Sequence, residues 1–560
     1  MIPLMIRSYA KYRLFLLMLL LITGSCTEDF LDVENKNQVA LNSFYRNKDD
    51  VWMAVNTAYN PLAFGGMFGV NYFLLINSFD DRILFETSLL DDFNISSSSG
   101  TVSLMYQALY VGVWRCSHII YNLRTRNIPD LDDNTRNNYI AQLKTLRAMY
   151  YFYLVVLFKQ PYFYDDTNLP VDYLAGYGNS DASLFWNRIK EDLLWSVNWL
   201  PQKWPSVDLG RVTRGSALAL LGKAMLYKHY HYYMQNGQGG SAGDIADLRT
   251  GKQALSDLIG SGTHNLIQPK EPFTFKDYVY SYLCNFSYIP LSAGNNVYPA
   301  ENNDESVWEI QYSDERIAQG WLPGWQWSGS LNGQYFSPHE SSYRNHEIHP
   351  NLFLQYDTIG TPPGFDRDPR AYATCYLDGD TMEFRPDKAY FKPYRSGINN
   401  KKIAQGRGFI YSGQPTVGFG LKKYYFPVYN EKDAPKNDPV NIRIIRYSDI
   451  LLMFAEYTML LNEDQSDGLY WLNEVRARVG MAPAPALTAS VIMHERDVEL
   501  ATEGHRFLDL VRWSFDPQWK IVWPSVFGNN AFVKGKNEYL PIPIVEINKN
   551  KGLLKQNPGW

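Results

Sequence analysis

Hydrophobic positions along this chain recur mostly at helical spacing. Leu143, Leu146, Tyr150, Tyr153, Leu154 and Leu157 fall on one face of a 3.6-residue repeat, and Gln160-Pro161 closes the run. A second helix is predicted from about Ser183 to Leu200, ended by Pro201, and a third from Arg214 to about Tyr230. The third carries Ala217, Ala219, Gly222 and Ala224, the small side chains that closely packed helix pairs require. Nearer the C-terminus, Ile450, Leu451, Phe454, Ala455, Thr458 and Leu461 mark another helix. Leu469, Leu472, Val475 and Val479 mark its partner, with Gly480 as the C-terminal cap. Between about Gly237 and Pro439 the pattern gives way to Gly, Pro, Asn and aromatic residues, with short β-like runs such as Val307-Trp-Glu-Ile-Gln-Tyr312. Irregular chain on a helical scaffold is where binding surfaces usually sit. The expected fold is mostly α, with paired helices supporting a loop-rich region that holds a few short β-strands.

The N-terminus carries an address. Arg7, Lys11 and Arg13 precede nine apolar residues, Leu14 to Ile22, too few to cross a hydrocarbon layer about 30 Å thick. They suit a cleavable signal. Leu21-Ile-Thr-Gly-Ser-Cys26 then resembles a bacterial lipobox, in which Cys26 is acylated and becomes the new N-terminus. Each buried methylene contributes about 0.8 kcal/mol, so several acyl chains on one residue hold a domain firmly to a membrane. Thr27-Glu28-Asp29 is similar to the acidic tag of surface-exposed Bacteroidetes lipoproteins. Four regions are expected: a signal over 1–25, a helical region over 26–236, a loop-rich insert over 237–439 and a C-terminal helical region over 440–560.

Composition narrows the partners. The net charge of −5 becomes −8 once Arg7, Lys11 and Arg13 leave with the signal, and no basic run argues for nucleic acid. With Cys26 spent on lipid, Cys116, Cys284 and Cys375 remain, widely spaced and without a CxxC. That is neither a disulfide framework nor a zinc knuckle, and buried free thiols are expected. The chain is 15% aromatic, and its 41 Tyr outnumber its 29 Phe. Most will pack the core, but Tyr and Trp also suit a surface that stacks on a ligand while its polar edge stays wet.

The C-terminal third resembles the SusD/RagB family of nutrient-binding outer-membrane lipoproteins. The residues that carry this are Asn441 to Glu456 (NIRIIRYSDILLMFAE), Leu472 to Arg478 (LNEVRAR), Glu495-Arg496, Glu499-Leu500, Glu503-Gly504 and Arg506 to Trp513. Leu540-Pro-Ile-Pro543 and Gln556 to Trp560 resemble the family's ending. Upstream, Cys26 to Asp32, Leu146-Arg-Ala148, Gly210 to Ala217, Ser306 to Tyr312 and Asp366 to Arg370 match in order. The resemblance implies tetratricopeptide-like helix pairs, although that repeat's own consensus is not legible here. It implies a lipid-anchored protein of the outer membrane, facing outward, that binds oligo- or polysaccharide. It further implies delivery to a SusC-like TonB-dependent transporter, as part of polysaccharide utilisation, with no cofactor and no chemical step.

Catalytic readings of the same residues fail on spacing. His494-Glu495 would need a second His at position 498, which is Val498, so the zinc-protease motif is not met and no metal is expected. Glu495 and Glu499 could serve as the carboxylate pair of a glycosidase, but both lie beside arginines that keep a carboxylate ionised. At i, i+3 or i+4 spacing along helices, Glu495, Glu499, Glu503, Arg496, Arg506, Asp509 and Arg512 read instead as a structural ion lattice. Asn462 to Gly468 meets the calcium-loop pattern only in part, with its glycine one place late, and reads as a helix connector. Gly237 to Gly243 follows a helix and lacks the phosphate-loop Lys, so it reads as a flexible loop.

A sugar offers apolar C–H faces and equatorial hydroxyls, so its site needs flat rings edged by Asp, Asn or Arg. Two segments have that make-up, and the family places its ligand loops in about the same regions. One holds Tyr72, Phe73, Asp81 and Arg82; the other holds Trp321, Trp325, Trp327, Asn332 and Tyr335. If Trp325-x-Trp327 is extended, the two indoles face the same side about 7 Å apart. A surface glycoside hydrolase and a peptide- or protein-binding nutrient-uptake component are the alternative readings.

Overall fold

The structure, a computed structural model, describes residues 44–85, 93–167, 169, 176–271, 273–286, 301–313, 318–319, 326–327, 329–336, 346–377, 381–384, 390–393, 410–411, 414–415, 418–424, 438–523, 526 and 532–560. The signal, Cys26, Trp321 and Trp325 lie outside them. The chain forms a small unit of residues 1–51 and 128–130, and a large one of 52–127 and 131–560. In the small unit Arg46 makes a forked pair with Asp50, one helical turn on.

Helices dominate the described residues. They are α1 (Lys48–Ala63), α2 (Asn71–Ile76), α3 (Gly100–Thr125), α4 (Asp133–Phe158), α5 (Ala182–Ser196), α6 (Arg214–Lys228), α7 (Ala242–Gly260) and α8 (Phe275–Leu283). There follow α9 (Asn332–Phe336), α10 (Pro350–Gln355), α11 (Pro369–Thr374), α12 (Tyr447–Leu460), α13 (Ser466–Arg478), α14 (Ala489–Glu499), α15 (Arg506–Ser514) and α16 (Ile544–Lys549). From α3 to α7 each helix packs on the next, and α12, paired with α13, closes against α6 and α7. That is the side-by-side array of helix pairs the sequence implied, and the fold is mostly α.

Sequence explains the helix ends. Asp132, Asp181, Thr213, Ser241 and Thr488 cap α4, α5, α6, α7 and α14, each accepting a backbone N–H of the first turn. Gly480 follows α13 at φ +73°, the left-handed cap expected from the sequence. Small residues let α6 approach α7, since a methyl group on Gly222 would collide with Leu255. One expectation needs revising: α4 is not a one-faced helix. Every residue from Tyr139 to Phe158 is buried, because α3, α5 and α6 cover it on all sides. Even Arg147 is wholly enclosed, bonded through Nε and Nη2 to Asp192 of α5 at 2.8 and 3.0 Å and through Nη1 to Asp166 at 2.5 Å.

The described residues hold six two-stranded antiparallel pairs, of which β1 (Ile83–Phe85) with β5 (His346–Ile348) and β2 (Ser306–Ile310) with β12 (Ile442–Arg446) join distant parts of the chain. The others are β3 (Ala318–Gln319) with β4 (Gln326–Trp327), β6 (Cys375–Tyr376) with β11 (Gly420–Leu421), β7 (Thr381–Phe384) with β8 (Tyr390–Pro393), and β9 (Ile410–Tyr411) with β10 (Gln414–Pro415). Cys116, Cys284 and Cys375 are buried free thiols.

Candidate ligand-binding site

Chain that follows each of the two candidate segments meets in space. Ile83 pairs with Ile348, Leu84 with Glu347 and Phe85 with His346, so β1 and β5 carry the two chain regions to one ladder end. Further bonds fix the approach: Leu331 N–H donates to the Gly69 carbonyl at 2.9 Å, and Asn332 Nδ2 donates to the Phe68 carbonyl at 3.3 Å.

Individual residues fare differently. Tyr72 and Phe73 are 4% and 3% exposed, so neither offers a ring face to solvent. Tyr72 packs on Phe68 and Tyr153, with its hydroxyl donating to the Gly504 carbonyl at 3.0 Å. Phe73 sits against Phe68 and Tyr424. The rings follow the inward face of α2, which is packed on α3. These positions belong to the core rather than to a stacking surface.

Asp81 and Arg82 are also occupied. Arg506 grips Asp81 through Nε at 2.8 Å and Nη2 at 3.2 Å, while Arg82 Nη2 binds Asp497 at 2.9 Å. Burial pushes the neighbouring Asp80 carboxyl up to about 8, with the Asp81 charge adding to the effect. Asp81 and Arg82 therefore tie the first segment to α15 and α14. In the second segment, Trp327 lies on β4 opposite Ala318, but its side chain is outside the described residues. Asn332 is 1% exposed, whereas Tyr335 is partly exposed beside Phe336, at a ring separation of 6.3 Å. Of the residues chosen from sequence, Tyr335 is the described one with an aromatic edge in reach of solvent.

The C-terminal charges form a buried lattice that joins separate elements. Glu499 accepts from Arg370 Nη1 at 2.9 Å, Arg446 Nη1 at 2.6 Å and Arg478 Nη2 at 2.5 Å. Those arginines come from α11, the β12–α12 junction and α13, so helical i, i+4 spacing is not what pairs them. Glu503 closes the lattice with Arg446 at 2.7 and 2.9 Å and with Lys423 at 2.9 Å. Burial alone would raise the Glu499 carboxyl, but three guanidinium groups hold it well below the usual range. A carboxylate so held cannot act as a proton donor near neutrality, which removes Glu499 as a glycosidase acid. Within α15 one pair does follow the helical spacing, Arg512 Nε to Asp509 at 2.9 Å. The linker between α12 and α13 is a helix connector, with Asp464 accepting the Ser466 N–H at 3.0 Å.

This lattice is built from the residues that carry the family motifs, and residues 304–560 match the model of the SusD family. A SusD-like protein of Bacteroides ovatus is 22% identical over 513 residues, covering 88% of this chain and 80% of its own length. SusD-like protein P25 of Formosa agariphila is 21% identical, with 95% of each chain covered. Among solved structures, a SusD homolog from Bacteroides thetaiotaomicron superposes with a TM-score of 0.71 at 19% identity, over 94% of this chain and 100% of that one. Surface glycan-binding protein A of the same species, in complex with laminarihexaose, gives a TM-score of 0.65 at 22% identity, over 91% and 99%. Residues 304–560 are thus similar to the SusD family, and the fold is that of SusD-like proteins.

Proposed function

We propose that this protein is a lipid-anchored, cell-surface glycan-binding component that captures oligo- or polysaccharide and hands it to a SusC-like TonB-dependent transporter without altering it. The observation that supports the reading is the β1–β5 ladder, which joins the chain just after the first candidate segment to chain that follows the second, on a SusD-like scaffold. A relative with this fold is described in complex with laminarihexaose, which supports a β-glucan among the ligands to be tried. Capture without chemistry is supported by the lattice, whose carboxylates are neutralised by arginine rather than poised to exchange protons. Anchoring rests on Cys26, and no helix among the described residues is long and apolar enough to cross a membrane.

The working surface of this proposal is Trp321, Trp325, Trp327, Asn332 and Tyr335. Asp81 and Arg82, paired with Arg506 and Asp497, and the packed Tyr72–Phe73 pair hold the chain that leads into β1. Replacing Trp325 and Trp327 by Ala should weaken binding of the cognate glycan at least tenfold, about 1.4 kcal/mol, at an unchanged melting temperature. Equal affinity in calorimetry for the double variant and the parent would reject this surface. New reducing ends appearing when the protein is incubated with its glycan would instead establish the hydrolase reading.

A further inference from the structure

We infer that the chain carries a second carbohydrate-binding subsite, a cleft between α1 and the turn at Gly210-Arg211, with the Trp52 indole as its stacking platform. The cleft holds about 330 Å³, at the small end of the range for ligand pockets (about 300–1,000 Å³), and suits a short saccharide. None of the described residues of segments 71–82 and 321–336 lines it.

Trp52 is 46% exposed, an unusual state for the largest apolar side chain, and it is held in place rather than left loose. The Arg211 guanidinium lies 5.6 Å from the Trp52 ring centroid and 6.0 Å from that of Tyr59. Each of its nitrogens is bound: Nε to Asp208 at 2.7 Å, Nη1 to Gln142 at 3.1 Å and Nη2 to Asn56 at 2.7 Å. Its side chain is 10% exposed, so a charge has been buried with one hydrogen bond on each nitrogen beneath a ring that remains open. A platform fixed in this way loses little conformational freedom when a ligand stacks on it.

The polar edges fit a sugar. Trp52, Asn56 and Asn60 stand at successive turns of α1 and share one face. Among the described residues the Trp52 indole N–H, the Asn56 amide N–H₂ and the whole Asn60 amide have no hydrogen-bond partner, and so remain for hydroxyls. Gly210 completes the wall. At φ +87° it takes a backbone form that side chains resist, and a methyl group there would collide with Gln311. Gln311 is in turn locked to Asn302 by a pair of amide hydrogen bonds at 3.0 and 3.1 Å. A flat ring edged by unspent amides is the chemistry of saccharide recognition. A protein groove would instead call for a broader apolar floor. Two such sites on one chain would also raise the avidity for a polysaccharide through effective concentration.

The test is calorimetry on the full-length protein in detergent, with laminarihexaose, laminarin and a panel of α-glucan, mannan and galactan oligosaccharides. Trp52→Ala, with Trp52→Phe as a control that keeps the ring, is compared with the Trp325→Ala/Trp327→Ala variant. The expected result is that Trp52→Ala loses one binding equivalent, weakens the long polysaccharide at least tenfold and leaves the melting temperature unchanged, while Trp52→Phe retains most binding. Unchanged stoichiometry and affinity in Trp52→Ala, with loss in the loop variant, overturns the second subsite and leaves the proposed function standing. Loss in Trp52→Ala with the loop variant silent supports the subsite and overturns the loop surface. A parent protein that binds no glycan of the panel overturns both.

Discussion

Gly504 sits at φ +73°, and a methyl group added there would lie 2.6 Å from Cε1 of Tyr72. The same glycine accepts the Tyr72 hydroxyl at its carbonyl and donates its N–H to Asn77 at 3.0 Å. One residue therefore joins the first aromatic segment to the turn after α14. Gly504→Ala is expected to destabilise the protein by about 1–3 kcal/mol through backbone strain, more if Tyr72 cannot shift. Urea unfolding monitored by circular dichroism would measure it, and an unchanged midpoint would contradict the packing described. At this scale sequence reading was weakest. Tyr72 and Trp52 are both aromatic residues on helices, and nothing local says that one is sealed in the core and the other left open. The difference lies in which neighbours the fold brings over each ring.

Elements were more legible than residues, because helical periodicity and capping are local. The helices beginning near 183, 214, 450 and 469 appear where apolar spacing put them, and Gly480 caps as expected. Helices α3 and α7 escaped notice, and α7 falls within a stretch whose glycine and aromatic content suggested loops. The junction between β12 and α12 depends on Arg446, whose side chain reaches Glu305, Glu499 and Glu503 at 2.6 to 3.0 Å. Arg446→Met removes the cation and leaves those buried carboxylates facing one another. The cost should be about 3–5 kcal/mol, seen as a lower denaturation midpoint. A Met variant as stable as the parent would show that the lattice is not what holds this junction.

For the whole molecule, the lattice sets the response to acid. Glu499 and Glu503 are held below the ordinary glutamate value of 4.5 by surrounding cations, and Asp449 is held well below its own by Lys223 and Arg496. A depressed carboxylate stabilises the fold in full above the pKa of the unfolded chain. That stabilisation is lost as pH falls through the folded value. Stability should therefore drop steeply below about pH 4.5, and Glu499→Gln should show a shallower acid limb. Thermal melts between pH 3 and 7 would test this; an acid limb identical in parent and variant would contradict it.

The order of apolar and polar positions was enough to predict helix pairs and a change of character after about residue 237, and short runs of sequence carried the resemblance to a lipobox at Cys26 and to the SusD/RagB motifs. Each of those is a local pattern, set by spacing along a few turns of chain. Tertiary structure alone decided that Glu499 meets three arginines from three elements, that Tyr72 and Phe73 are sealed, and that the segments near residues 83 and 347 share one ladder. The physical reason is that burial and charge pairing depend on which distant parts of the chain are packed together, and spacing along one element carries no record of that.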